Sequence, residues 1–251
     1  MISLFIILLG LGLGSFASVI IHRLHTGERG IFGGRSKCPH CAKQLKPLDL
    51  IPVVSYIINK AKCRFCKTPI PFRYPLLELS MAGIFALTTH LVGLENTNDL
   101  SFYLFISFIF IILTFYDFLF KEVPDEISLP TLIIALGYTL VMGKIAWLSL
   151  LLGVAAPLLF FGALYFGSQG RWLGGGDLRI GALMGALLGW PMILVGLFLG
   201  YVSGALYSVT GLALGKFTKK SQIPFVPFLL LGTYIALFWG QDILEWYGEL
   251  L

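Results

Sequence analysis

Long apolar runs recur from one end of this 251-residue chain to the other, and few folds can house them. Membrane spans are expected at Ile2–Ile21, Pro75–Gly93, Ser101–Phe120, Ile127–Gly143, Trp147–Phe166, Leu178–Trp190, Met192–Gly215 and Phe225–Tyr247. Most are close to the roughly 20 residues whose helical rise crosses a hydrocarbon layer of about 30 Å. Inside lipid, backbone donors must be satisfied within their own segment, so an all-α polytopic membrane protein of about eight transmembrane helices is expected. Composition agrees. Charged residues make up 12% of the chain and the mean hydropathy is +0.87, where soluble domains carry about a quarter charged residues. The sixth run is short and meets the seventh through Gly189-Trp190-Pro191. Trp147, Trp190, Trp239 and Trp246 fall near span ends, where amphipathic rings favour the interface.

Orientation follows from the 18 Lys and Arg. Eleven lie between His22 and Pro75: Arg23, Arg29, Arg35, Lys37, Lys43, Lys46, Lys60, Lys62, Arg64, Lys67 and Arg73. Lys121, Arg171, Arg179, Lys216, Lys219 and Lys220 fall on the same side, and Lys144 alone on the other. The basic side is expected to be cytoplasmic, with both termini outside. The first span has no basic leader of its own and is expected to be a retained anchor rather than a cleaved signal. The net charge of +5 is the footprint of this topology, and no nucleic-acid partner is expected. The domain reading is a first helix at residues 1–21, a cytoplasmic zinc-binding segment at 22–74, and a seven-helix membrane domain at 75–251.

All four cysteines lie in the basic segment, as Cys38-Pro39-His40-Cys41 and Cys63-Arg64-Phe65-Cys66. Two such knuckles supply the four thiolates of a tetrahedral Zn²⁺ site. In a reducing compartment a structural zinc ribbon is favoured over disulfides, a redox pair or free packed thiols. Four protein ligands leave no open position, so the metal would cross-link the segment and catalyse nothing.

Ionisable groups at the ends of lipid-embedded spans are costly and mark candidate sites. Asp117 stands near the end of the third span, and Asp177 follows Gly174-Gly175-Gly176 and opens the sixth. The orientation above brings the two to one depth on one side of the membrane. Paired carboxylates suit peptide hydrolysis, because one keeps a proton while the other stays charged and activates water. The glycines permit close approach of a substrate strand to the backbone. The structural alternatives are a helix cap for Asp177 and a buried, hydrogen-bonded polar group for Asp117.

Taken in order, these residues resemble the type IV prepilin peptidases, which cleave prepilin leaders and N-methylate the new terminus in type IV pilus and type II secretion systems. Gly174-Gly175-Gly176-Asp177 is similar to that family's GxGD motif, and Asp117 with Val123-Pro124-Asp125 to its other aspartate motif. The N-terminal Gly14-Ser15-Phe16-Ala17-Ser18-Val19 with Arg23, the paired knuckles, Ile51-Pro52-Val53-Val54-Ser55-Tyr56, Arg73-Tyr74-Pro75 with Glu78, and Pro224-Phe225-Val226-Pro227-Phe228 match further signatures. Val123, Tyr116 and Arg179 depart from the usual Ile, Ile and Lys. The resemblance implies catalytic Asp117 and Asp177, prepilin or pseudopilin substrates, S-adenosylmethionine as methyl donor, an inner-membrane location, and Arg73 and Glu78 as candidates for the methyl-donor site. Two other functions stay open: a leader peptidase without methyl transfer, and a membrane transporter or scaffold, which would place its carboxylates nearer mid-span.

Two further expectations rest on residues. Glu122, Asp125 and Glu126 form an acidic cluster on a basic face and could hold a basic leader. Gly181, Gly185 and Gly189, with Gly196, Gly200 and Gly204, repeat at four-residue spacing, which predicts close packing of the sixth span on the seventh.

Overall fold

The spans are rich in Leu, Ile, Phe and Gly, and as helices they close their backbone hydrogen bonds internally. The computed structural model describes residues 2–27, 36–171, 173–218 and 221–249. Arg29, Arg35, Lys219 and Lys220, counted above for orientation, lie outside the described residues. The helices are α1 Ile2–Thr26, α2 Val54–Ile58, α3 Arg73–Val92, α4 Thr97–Phe120, α5 Asp125–Met142, α6 Trp147–Ser168, α7 Gly175–Leu188, α8 Met192–Ala213 and α9 Val226–Glu249. All except α2 and α7 are long and apolar enough to cross a membrane. The chain is an all-α, multi-pass membrane protein. The expected sixth span forms as α7, but its 14 residues rise only about 21 Å. Every residue from Ile180 to Leu188 is buried, so protein and not lipid surrounds it.

Residues Met1–Phe115 and Tyr116–Leu251 form two compact units, with the last turn of α4 in the second. In the first unit α1 and α3 run antiparallel. A Cβ at Gly10 would fall 2.9 Å from Ala82 Cα, and one at Gly14 2.6 Å from Glu78 Cα. This glycine pair at four-residue spacing lets two backbones touch, the close approach that holds helices together where lipid competes for ordinary apolar contact. Thr88 Oγ1 and Ser107 Oγ, buried 2.8 Å apart, link α3 to α4.

In the second unit α7 touches α5, α6, α8 and α9. The glycine stripes do not pair as the sequence predicts. A Cβ at Gly185 would collide with Gly153 of α6, and one at Gly153 would lie 2.6 Å from Gly189 Cα. The α7 stripe therefore seats α6. The α8 stripe seats α9: a Cβ at Gly200 would meet Leu229 Cα at 3.1 Å, and one at Gly232 would run into Gly196. Only Gly196 also faces α7, through Leu188 and Met184. A four-residue repeat fixes which side of a helix is flat, but not which neighbour covers it. The buried Thr139 hydroxyl donates to Ala186 O at 3.0 Å and adds a polar tie from α5 to α7.

Candidate active site

Asp117 lies in the last turn of α4, which stops where Lys121 adopts φ +57° and returns its N–H to Asp117 O at 2.8 Å. Its side chain is 5% exposed. Oδ2 accepts the N–H of Val226, the first residue of α9, at 3.0 Å. The first N–H groups of a helix have no partners within it and carry the positive end of its dipole, so an anionic carboxylate is well placed there.

Asp177 is the third residue of α7 and is 9% exposed. Its Oδ2 accepts Gly174 N–H at 3.1 Å, while its own N–H donates to Gly174 O at 3.1 Å. The capping alternative is thus met in part: Gly174 is the cap residue, and Asp177 closes a box across that first turn. One carboxylate oxygen does the closing. The two aspartates are near enough for the Asp177 charge to act on Asp117. Both buried carboxyls therefore sit at helix starts, each holding a backbone N–H.

Of the three glycines, Gly176 alone is required by packing. A Cβ there would fall 2.5 Å from Val123 Cγ2, so the turn after α4 lies directly on the first turn of α7. Gly174 and Gly175 are exposed, and a Cβ on Gly175 would meet nothing within 4 Å. Pro124 is buried at the start of α5. Beside it, Asp125 pairs with Arg179, two residues past Asp177, through Oδ1 and Nη1. This clasp joins the two aspartate motifs. It also separates Asp125 from the acidic cluster, where Glu122 and Glu126 are exposed.

The cysteine segment belongs to the first unit. Its two knuckles repeat one geometry. Cys38 N–H donates to Lys43 O at 3.0 Å and Cys63 N–H to Thr68 O at 2.8 Å. Ala42 N–H returns to Cys38 O and Lys67 N–H to Cys63 O, both at 2.9 Å, with Ala42 and Lys67 at φ +56° and +60°. The four Sγ atoms all lie within 4.8 Å of one another, and Cys38 and Cys66 are 3.9 Å apart. Sulfurs about 2.3 Å from a tetrahedral Zn²⁺ stand about 3.8 Å from each other, so the donor set fits a metal ion. The Thr68 hydroxyl and backbone N–H hold the Cys66 thiol down to about 6.

Arg73 and Glu78 are not brought together as an ion pair. The Arg73 guanidinium lies over the Tyr74 ring at 5.5 Å, while the buried Glu78 accepts Val53 N–H at 2.7 Å and a bond from the Ser15 side chain. Val53 has φ +61° and ψ −47°, a conformation that costs a β-branched residue energy and that this carboxylate helps to hold.

Fold and site together define a polytopic helical membrane protein with two carboxyls buried at neighbouring helix starts. Comparison with known proteins agrees. Residues 8–92 match the bacterial peptidase A24 N-terminal domain and residues 104–209 the type IV leader peptidase family. A prepilin leader peptidase/N-methyltransferase of Bacillus subtilis strain 168 is 32% identical over 95% of this chain and 94% of its own. Proteins of the same name from Aeromonas hydrophila and Legionella pneumophila are each 30% identical, over 96% of this chain and 92% of theirs. No solved structure matches it. The chain belongs to the type IV leader peptidase family.

The sequence gives no sign that Val226 N–H holds Asp117, or that Arg179 holds Asp125. Their signals are visible only afterwards: a proline-bracketed turn before α9, and a cation two residues beyond a buried aspartate.

Proposed function

We propose that this protein cleaves the short basic leader of prepilins or pseudopilins at the cytoplasmic face of the inner membrane, and then N-methylates the new terminal residue. The observation that carries the reading is the pair Asp117 and Asp177, both buried, within electrostatic reach, and each fixed by a helix-start N–H. Two carboxyls so close share one proton more cheaply than they carry two charges. The charged member takes a proton from water as the water oxygen bonds to the scissile carbonyl carbon, and the protonated member gives its proton to the carbonyl oxygen. The resulting gem-diol collapses when the first member returns its proton to the amine nitrogen, the C–N bond breaks, and a diol hydroxyl reprotonates the second. The pair ends as it began.

Exposed Gly174 and Gly175 support approach of an extended substrate, and Pro124 with the Asp125–Arg179 pair supports the geometry of the two motifs. Glu122 and Glu126 are assigned to the basic leader, with Asp125 contributing less because Arg179 already engages it.

Cys38, Cys41, Cys63 and Cys66 are assigned to a zinc ion whose role is to cross-link residues 22–74 into a domain distinct from the helices of residues 75–251. S-adenosylmethionine would supply an electrophilic methyl, taken by the deprotonated amine as the S–CH₃ bond breaks with its electron pair left on sulfur. Arg73 and Glu78 are the candidates at that step, and Arg73 is the better placed because Glu78 is engaged by Val53.

The test uses purified protein in detergent with a model prepilin, and follows product mass with and without S-adenosylmethionine. Loss of the leader, abolished by Asp117→Ala or by Asp177→Ala, and a donor-dependent gain of one methyl group are expected. Cleavage that survives either substitution would overturn the paired-carboxylate reading and return weight to a transporter or scaffold.

A further inference from the structure

Among the described residues, two buried side-chain polar atoms have no hydrogen-bond partner: Ser128 Oγ and the Tyr201 hydroxyl oxygen. The Tyr201 case is the more informative because of what surrounds it. Its ring packs edge-on against Phe225 at 5.0 Å, and lies 6.3 Å from Phe161 and 5.9 Å from Phe160. Phe225 directly precedes Val226, whose N–H holds Asp117. Phe161 presses on Gly181, one helical turn beyond Asp177, where a Cβ would fall 2.7 Å from the ring. One aromatic neighbour thus leads to each aspartate, and the Asp177 charge reaches the phenol itself.

A phenol in an apolar surround ordinarily finds an acceptor, because an unmade bond there is costly. This one has none. What the resting enzyme withholds, a substrate can bring. A scissile carbonyl at the carboxyl pair carries an oxygen whose negative charge grows as water adds, and a fixed neutral donor stabilises that charge most where water is excluded.

We propose that Tyr201 is a further catalytic residue, its buried and unpartnered hydroxyl donating a hydrogen bond to the scissile carbonyl oxygen as the tetrahedral intermediate forms. It keeps its own proton throughout, and proton transfer stays with the two aspartates. The inference rests on the proposed cleavage reaction and adds to it an electrophilic partner on α8.

Tyr201→Phe removes the hydroxyl and leaves the ring in its aromatic setting. Cleavage of a model prepilin by the purified full-length variant is expected to lose about 10²- to 10³-fold in kcat. KM and Tm should stay near wild type, and methyl transfer to an already cleaved pilin should be unchanged. A peptide bearing a hydroxyethylene group in place of the scissile bond is expected to bind the variant about tenfold more weakly, since that hydroxyl mimics the intermediate. Full activity in Tyr201→Phe overturns the proposal, and does so most clearly if Tyr201→Leu is impaired, because the ring alone then matters. Loss of activity accompanied by a lowered Tm or a raised KM also overturns it, in favour of a packing role. Failure of the wild type to cleave any prepilin removes the underlying reaction instead, and is distinguished by appearing before any substitution at Tyr201.

Discussion

The Val226 amide donates to Asp117 Oδ2 at 3.0 Å across 109 positions of sequence, whereas Asp177 is held by Gly174, three residues away. One carboxyl is fixed by the fold and the other by its own turn. The second can form as soon as α7 starts. The first exists only when α9 has docked beside the end of α4.

Val226→Pro tests the long-range bond. Proline is tolerated in the first turn of a helix and removes the N–H that Asp117 Oδ2 accepts, together with the buried Val226 side chain, so Val226→Ala, which keeps the N–H, is the control. A hydrogen bond to a charged group contributes about 1.5–3 kcal/mol, so kcat for leader cleavage is expected to fall by roughly 10- to 100-fold. Near-wild-type cleavage would show that Asp117 needs no such support.

Gly176→Ala places a methyl group where Val123 Cγ2 stands, 2.5 Å from the new carbon. Overpacking of this kind typically costs about 1–3 kcal/mol. Activity is expected to fall in the single variant and to recover in part when Val123→Ala is added, read as a double-mutant cycle on kcat/KM.

The Asp125–Arg179 pair is half open to solvent, with side-chain exposures of 53% and 31%, so it contributes at most about 1 kcal/mol. Arg179→Ala is expected to cost about fivefold or less in kcat, and exchanging the two charges (Asp125→Arg with Arg179→Asp) to restore part of it. Neutralising Glu122 and Glu126 is expected instead to raise KM for a basic leader and flatten its dependence on salt. An unchanged KM at low ionic strength would remove the leader-binding assignment.

Helix packing gives a contrast within one residue type. Gly185→Leu has no room against Gly153, and a Tm loss of roughly 5–10 °C in detergent is expected. Gly137→Ala, where a Cβ meets nothing within 4 Å, is expected to raise Tm by about 2–4 °C, the gain from helix propensity.

Metal analysis of the purified protein is expected to give about one zinc per chain, lost on Cys63→Ser or with a strong chelator. Limited proteolysis between the two knuckles should then become faster, because the cross-link that the four thiolates supply is gone. Equal resistance with and without metal would mean that the hydrogen bonds of the knuckles suffice.

Local chemistry along the chain settles part of this protein. Spans of about 20 apolar residues admit only helices in lipid. Paired Cys-x-x-Cys knuckles turn tightly enough to converge, and the structure brings their sulfurs within 4.8 Å. A Gly-Gly-Gly-Asp run closes its own helix start. The rest depends on which surfaces meet when the helices pack. That packing sent the α7 glycine stripe to α6 and the α8 stripe to α9, enclosed a 14-residue α7, and brought Val226 to Asp117 and Arg179 to Asp125. A repeat of small residues says that a face is flat, and a buried carboxyl says that it needs a donor. Neither names the partner, because in lipid every apolar helix face is an equally acceptable neighbour until shape and backbone hydrogen bonds select one.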